Sequence, residues 1–376
     1  MLRRMSPVVS LARELVAIPS VSRDSNRDIA DRCERELTAR GFDCERIVYV
    51  DAAGEEKVSV AAVRDGSGDG LAYFGHSDVV PADNWNGPGS PFSPTIQQER
   101  LYGRGSCDMK GSVAAFLTAA EATTSGPVWV ALTSDEETGF GGARAVAKQS
   151  AIYRDLLARQ PAAIIGEPTE RRVLNGHKGG VVWTLVAEGT QGHSSFGTDA
   201  SATLRLLPVL DVVREIVAEL QTDDAYHDDR FTPPGTTPNL RLTDSSPALN
   251  VTSAEATARL FVRLMPDVDV TTLSERLRKA AESHGVEFRS SPVWPAFYRD
   301  PQSPFVQRMC ELTGSQPATA AYGTDAAVFR DVERTVVCGP GSIEQAHTTD
   351  EFIALSELEQ GVTLYRRLLA EFADGR

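Results

Sequence analysis

Two of the six histidines in this 376-residue chain stand with carboxylates just beyond short apolar runs. Leu71-Ala72-Tyr73-Phe74 leads into Gly75-His76-Ser77-Asp78, and Leu101-Tyr102-Gly103-Arg104-Gly105 leads to Asp108 and Lys110. Val128 to Thr133 is followed by Asp135-Glu136-Glu137, and Ala162 to Ile165 by Gly166-Glu167-Pro168. Val336-Val337-Cys338 opens onto a glycine-bearing loop and then His347. Carboxylates gathered on one rim repel unless a cation sits among them. Two imidazoles with Asp and Glu suit zinc, and the hard oxygens also admit cobalt or manganese. Two ions need a bridging carboxylate and at least two terminal ligands each, and His76, Asp108, Glu137, Glu167 and His347 supply that number. Glu136 is left over beside Glu137. A carboxylate close to a metal-activated water, but not ligating, is a candidate general base. Any one of these residues alone is more often a surface or capping residue. The weight lies in their joint placement at successive strand ends.

The elements that must position them follow from the apolar pattern. Val58 to Val63, Leu71 to Phe74, Val128 to Thr133 and Ala162 to Ile165 are near-continuous hydrophobic strands. Helical patterns at Val113 to Ala122 and Gly142 to Lys148 lie between them, after two helices that stop at Pro19 and Gly41. Buried strands alternating with helices predict an α/β domain with a mixed, mostly parallel sheet flanked by helices. In such sheets ligands bind beyond the carboxyl ends of the strands, where the candidate residues stand.

The pattern changes after Glu170. A strand at Val181 to Ala187, a long helix at Ala202 to Leu220, and an edge strand around Asn239 to Leu242 come first. A strand at Ala254 to Met265, a helix at Thr271 to Ser283 and a strand at Val286 to Ser290 complete a β-α-β-β-α-β order. That order predicts an α+β sandwich inserted at 176–293, with the outer domain in two pieces, 1–175 and 294–376.

Composition narrows the classes. Hydrophobic residues make up 41% and charged residues 24%, as in an ordinary globular protein. The net charge is −14 and no Lys/Arg run exceeds two residues, which argues against a nucleic-acid or anionic-membrane partner. No apolar stretch approaches the ~18 residues of a membrane helix. The basic start Met1-Leu2-Arg3-Arg4-Met5 is not followed by the apolar core of a signal peptide, so a cytoplasmic location is expected. Five widely spaced cysteines imply reduced thiols rather than a disulfide framework or a cysteine zinc site. Other motifs fall short: Gly139-Phe140-Gly141-Gly142 lacks the GxGxxG spacing, Gly105 to Lys110 is not a P-loop, and Gly192-His193-Ser194-Ser195 is not a GxSxG elbow.

The ordered segments Gly75 to Pro81, Trp85 to Phe92, Leu101 to Gly111, Asp135 to Gly139, Gly166 to Thr169, His177-Lys178-Gly179, Gly192 to Ser195 and Gly339 to His347 carry a resemblance over essentially the whole chain. It resembles the zinc-dependent amidohydrolases that include acetylornithine deacetylase, succinyl-diaminopimelate desuccinylase, aminoacylase and the glutamate-releasing carboxypeptidases. The resemblance implies a zinc-exopeptidase-like fold with an inserted lid and dimerisation domain. It implies two zinc ions per subunit, one held by His76 and Glu167, the other by Glu137 and His347, with Asp108 bridging. Asp78 would orient the His76 ring and Glu136 would be the base. His193 would reach a reacting carbonyl from the other subunit of a homodimer, and a cis peptide would follow Asp108. Arg263 and Asn250 would meet the substrate, an N-acyl-amino acid with a free carboxylate. Gly323, Thr324 and Gly341 lie in loops that offer backbone donors around it.

Within the family the chain most resembles the acetylornithine deacetylase branch, and this resemblance implies a role in arginine biosynthesis. One departure is Tyr322-Gly323-Thr324-Asp325-Ala326, where Cys-Thr-Glu-Ala is expected. That leaves a desuccinylase, a general acyl-amino-acid hydrolase or a glutamate carboxypeptidase as alternatives. A non-catalytic binding protein on the same scaffold would be expected to have lost a ligand or the base, and every such position is filled. His177, His227 and His284 remain unassigned.

Overall fold

Uninterrupted apolar runs become strands covered on both faces. The computed structural model describes residues 5–122, 124–196 and 201–374, so the basic residues 1–4 lie outside the description. In chain order the elements begin with α1 (Pro7–Val16), α2 (Arg27–Ala39), β1 (Asp43–Val50), β2 (Glu56–Arg64), β3 (Leu71–His76), β4 (Thr95–Gln97) and β5 (Arg100–Tyr102). Next come α3 (Lys110–Ala119), β6 (Val128–Thr133), α4 (Gly141–Gln149), α5 (Ala151–Arg159), β7 (Ala162–Ile165) and β8 (Leu174–His177). Then follow β9 (Gly179–Glu188), α6 (Ala202–Thr222), β10 (Thr237–Asp244), β11 (Glu255–Leu264), α7 (Thr271–Ser283), β12 (Glu287–Ser290) and β13 (Phe297–Tyr298). The chain closes with α8 (Pro304–Thr313), β14 (Ala318–Ala320), β15 (Thr335–Val337), β16 (Phe352–Ala354) and α9 (Leu355–Phe372).

The chain divides into two compact units. The first holds Met1–Gly176, Arg299–Ala318 and Thr324–Arg376, and the second holds His177–Tyr298 and Thr319–Gly323. The second unit therefore runs to Tyr298 rather than 293 and also takes a short segment near 320. His177 explains part of that reach, since its ring packs against Phe297 with centroids 5.4 Å apart.

In the first unit the sheet order is β1-β2-β6-β3-β7-β15-β8. Its centre is parallel, β6 with β3, β3 with β7 and β7 with β15, and its flanks are antiparallel. Every residue of β3, β6 and β7 is buried, as continuous apolar runs demand. Helix α3 is buried over its whole length, and Tyr73 stacks on its Phe116 at 4.1 Å. Register then aligns the strand ends: His76 pairs with Thr133, and Ile165 pairs with both Phe74 and Val337. The chain therefore leaves β3, β6, β7 and β15 along one edge.

The second unit is an antiparallel sheet of order β10-β11-β9-β12. Strand β11 alternates buried residues with half-buried or exposed ones, and its inward face packs with Leu206, Val213 and Leu277 of α6 and α7. Among the described residues no helix is long and apolar enough to cross a membrane.

Candidate metal centre

The strand ends deliver a tight cluster. His76, the last residue of β3, is 1% exposed, and its Nε2 lies 2.9 Å from Asp108 Oδ1 and 3.8 Å from Glu167 Oε1. Glu167 follows β7. The other carboxylate oxygen of Asp108, Oδ2, lies 3.4 Å from His347 Nε2. That same nitrogen is 3.0 Å from Glu137 Oε2 in the turn after β6. Asp108 therefore stands between two histidines and turns one oxygen to each. Ligand atoms of His76, Asp108 and Glu137 all lie within 4.8 Å of one another.

Local backbone features hold these groups at the rim. The Asp108–Met109 peptide is cis. Asp135 and His347 both adopt positive φ, 55° and 61°, which turns the chain sharply where it presents Glu136, Glu137 and the imidazole. Gly142, the second residue of α4, lies directly against the strand end, and a Cβ there would lie 2.3 Å from the Ser134 carbonyl oxygen. Asp78 serves this turn. Its carboxylate accepts from the Glu136 amide at 3.2 Å, the Glu137 amide at 3.4 Å and the Ser22 hydroxyl at 2.6 Å. The His76 ring is met by the Asp78 main-chain carbonyl, 2.9 Å from Nδ1, while the carboxylate stays 3.7 Å away.

The electrostatics share one sense. Burial raises Glu136 and Glu167 well above the ordinary carboxyl range and also raises Glu137, each reinforced by neighbouring carboxylates. Burial alone would lower His76, but the Asp108 hydrogen bond and the charge of Glu167 hold it well above its ordinary value. His347 is pushed to about 10 by Asp108 and then Glu137. Burial opposes ionisation of Asp108, yet its bonds to His347 and His76 keep it far below the usual range. The cluster thus favours added positive charge. Two imidazole nitrogens and several carboxylate oxygens within a few ångströms form a donor set that fits a divalent cation.

The remaining predicted residues divide between the units. In the second, the exposed His193 accepts at Nδ1 from the Ser195 amide at 3.2 Å. It pairs with Val251, and the neighbouring Ser194 amide donates to the Asn250 carbonyl at 3.0 Å, so His193 and Asn250 share one loop cluster. Arg263 lies on β11 and stacks over Phe261 at 4.4 Å. Gly323 is half-buried at the end of the short segment. In the first unit, Thr324 is buried and its hydroxyl accepts from the Ala326 amide at 3.1 Å. Gly341 departs from expectation: its N–H donates to Glu357 Oε2 at 3.1 Å, so that donor is already engaged and not free for a substrate.

The model of the peptidase family M20/M25/M40 matches residues 72–371. The chain belongs to this family. It is 32% identical over 381 aligned residues to an acetylornithine deacetylase of Myxococcus xanthus, covering 96% of this chain and 97% of that protein. It is 29% identical to an acetylornithine deacetylase of Yersinia pseudotuberculosis, covering 98% of each. Among solved structures it is similar to the M20 metallo-carboxypeptidase Sso-CP2 of Sulfolobus solfataricus, with TM-score 0.75, 17% identity and 97% and 99% of the two chains covered. It is also similar to YXEP of Bacillus subtilis, a dinuclear metal-binding M20 peptidase, with TM-score 0.61, 17% identity and 96% of each chain covered. These structures share its fold, a mixed α/β sheet flanked by helices. As an M20/M25/M40 member the protein is a hydrolase of amide bonds.

Two buried acids of this M20 chain make contacts that the sequence does not show. Asp325 is 1% exposed, accepts from the Thr133 hydroxyl at 2.6 Å, and is raised to about 6 by burial. Glu351 is also 1% exposed and binds the segment that leads to Asp108. Their partners lie 192 and 243 residues away, so no local signal marks these contacts.

Proposed function

We propose that this protein is a two-zinc amidohydrolase that removes the acyl group from an N-acyl-amino acid, with N-acetylornithine as its substrate in arginine biosynthesis. The observation that carries the proposal is Asp108, with one oxygen toward His76 and the other toward His347. The full-length similarity to acetylornithine deacetylases supports the choice of substrate. In this reading His76 and Glu167 hold one ion, Glu137 and His347 the other, and Asp108 joins them. Cobalt or manganese would fit the same donors. When bound, the ions supply Lewis acidity, which eases deprotonation of water and polarises the amide carbonyl.

The chain's own groups do the rest. Glu136 takes a proton from the attacking water as the carbon–oxygen bond forms. It returns that proton to the leaving nitrogen as the carbon–nitrogen bond breaks. Asp78 fixes the Glu136–Glu137 turn through two amides. His193, brought by a second subunit, would donate to the developing oxyanion. Arg263 would bind the substrate carboxylate and Asn250 would contact the acyl-amino acid. The first unit would be the catalytic domain and the second the lid and dimerisation domain. Phe196, Leu207, Leu242 and Leu249 of the second unit are 93%, 53%, 54% and 103% exposed, which supports a homodimer through this unit. Five free cysteines support a reducing, cytoplasmic setting.

The test is amine release by metal-stripped protein, with and without added zinc or cobalt. The panel is N-acetylornithine, N-acetylmethionine, N-succinyl-diaminopimelate and a folate-type glutamyl amide. Metal-dependent release from N-acetylornithine well above the others is expected. Asp325 in place of the expected glutamate keeps a desuccinylase or a general acyl-amino-acid hydrolase as the second reading, and preference for another substrate of the panel would displace the deacetylase. No hydrolysis of any of them by metal-loaded protein would overturn the proposal.

A further inference from the structure

Glu351 lies four residues beyond His347, and its carboxylate accepts four hydrogen bonds from one short segment. Oε2 takes Nη1 of Arg104 at 2.8 Å and the Gly105 amide at 2.9 Å, while Oε1 takes the amides of Cys107 at 2.9 Å and Asp108 at 3.0 Å. The two loops also grip each other in return. The Gly103 amide donates to the Glu351 carbonyl at 3.1 Å, and Nη2 of Arg104 donates to the Thr348 carbonyl at 3.0 Å. Arg104 and Glu351 are 2% and 1% exposed. A buried carboxylate is tolerated where donors satisfy both oxygens and a guanidinium balances its charge. Here all the donors come from the residues that lead into Asp108.

We propose that Glu351 is a positioning residue that holds the Gly103–Asp108 segment in its ligating shape in the metal-free protein and ties it to the loop bearing His347. This rests on the metal-centre reading given above. Asp108 must meet groups on two sides, at 2.9 and 3.4 Å, so a small slide of its segment would upset both at once. One carboxylate sets that segment and, through four residues of chain, the histidine opposite. The competing account is that a bound metal orders both loops and Glu351 only fills space.

Hydrogen exchange and metal affinity separate the two accounts in the full-length chain. In metal-free wild type, peptides covering 103–109 should exchange about as slowly as those covering β3. Exchange within seconds would overturn the proposal. In Glu351→Gln the side-chain amide turns its own N–H groups toward two of the four donors. That variant should exchange 103–109 roughly 100-fold faster and bind zinc, read by competition with a chromophoric chelator, roughly 10- to 100-fold more weakly. Peptides covering β11 should be unchanged. A folded Glu351→Gln chain with wild-type zinc affinity and exchange would refute the latch alone. A wild type that takes up neither zinc nor cobalt would instead refute the reading on which it rests. Should Glu351→Gln not fold, Glu351→Asp, which keeps the charge on a shorter arm, is read against the same outcomes.

Discussion

Acidification from pH 7.5 to 4.5 is expected to weaken the second unit, and His177 sets by how much. Its ring is 0% exposed. Nδ1 donates to the Lys178 carbonyl at 3.0 Å, while the buried Nε2 has no hydrogen-bond partner among the described residues. A second proton would have to sit on Nε2, facing nothing that can receive it. Burial accordingly lowers this histidine to about 4, and the charge of Arg263 adds to the effect. An unfolded histidine titrates near 6.5. Between those values the unfolded chain binds a proton that the folded chain refuses. Stability is therefore complete above about 6.5, falls as the pH drops through the window, and levels below about 4. A gap of about 2.5 units at about 1.4 kcal/mol each gives a loss on the order of 3 kcal/mol, most of it reached by pH 4.5. Urea unfolding at the two pH values is the assay. Carboxylates elsewhere also titrate, so the quantity read is the difference between wild type and His177→Phe, which keeps a ring against Phe297. The variant should start about 1 kcal/mol weaker for the lost hydrogen bond. It should then lose roughly 2–3 kcal/mol less on acidification. Equal pH dependence in the two proteins would refute the argument.

Two predictions concern the chemistry. Glu136→Gln should keep its metal content, measured by atomic emission, and lose about 10²- to 10⁴-fold in kcat, because only the proton carrier is removed. An active variant would take Glu136 out of that role. His193→Ala should lower kcat by roughly 10²- to 10³-fold with bound metal unchanged, as expected for loss of an oxyanion donor. Mixing it with a second inactive variant, Glu136→Gln, should restore part of the activity if the histidine acts across a dimer. Unaltered turnover in His193→Ala would remove it from the mechanism.

The parts of the fold legible in sequence are those where one physical effect dominates. Strands β3, β6 and β7 are buried on both faces, so the sequence has to be apolar without a break, and the residues that follow them stand out as polar. That contrast exposed His76, Glu136, Glu137 and Glu167. Strand β1 was not legible, because it lies at a sheet edge, only Ile47 in it is buried, and its charged residues carry no apolar alternation. Strand β8 is fully buried but reads Leu-Asn-Gly-His, which has turn-like composition. Its stability comes from neighbours: Asn175 Nδ2 donates to the Arg299 carbonyl at 2.7 Å. Helix α5 buries only Tyr153 and Leu156, too narrow a stripe to be seen by periodicity. Residues that act through long-range partners were the least legible of all. Lys57 is 0% exposed because its Nζ donates to the carbonyls of Ser22 and Asp24, both at 2.6 Å, and nothing near it in sequence announces that.

The distribution of acids explains why such a centre can exist in a chain of net charge −14. Exposed carboxylates elsewhere are solvated singly or paired with arginines, and cost little. Two chemical kinds stand out among the buried ones. Asp78 and Glu351 are saturated with hydrogen-bond donors and belong to the framework, because a carboxylate satisfied on both oxygens has little left to offer a ligand. Glu136, Glu137 and Glu167 are raised by burial and by one another, and keep unfilled capacity for a proton or a cation. In the proposed mechanism Glu136 is the one of these whose task requires a proton to come and go. A carboxylate with raised proton affinity is better matched to that task near neutral pH than an ordinary exposed glutamate. Divalent ions among its neighbours would pull its affinity back down, so the working value is set by the competition between burial and bound charge. The framework acids keep the reactive ones close enough together for that competition to arise.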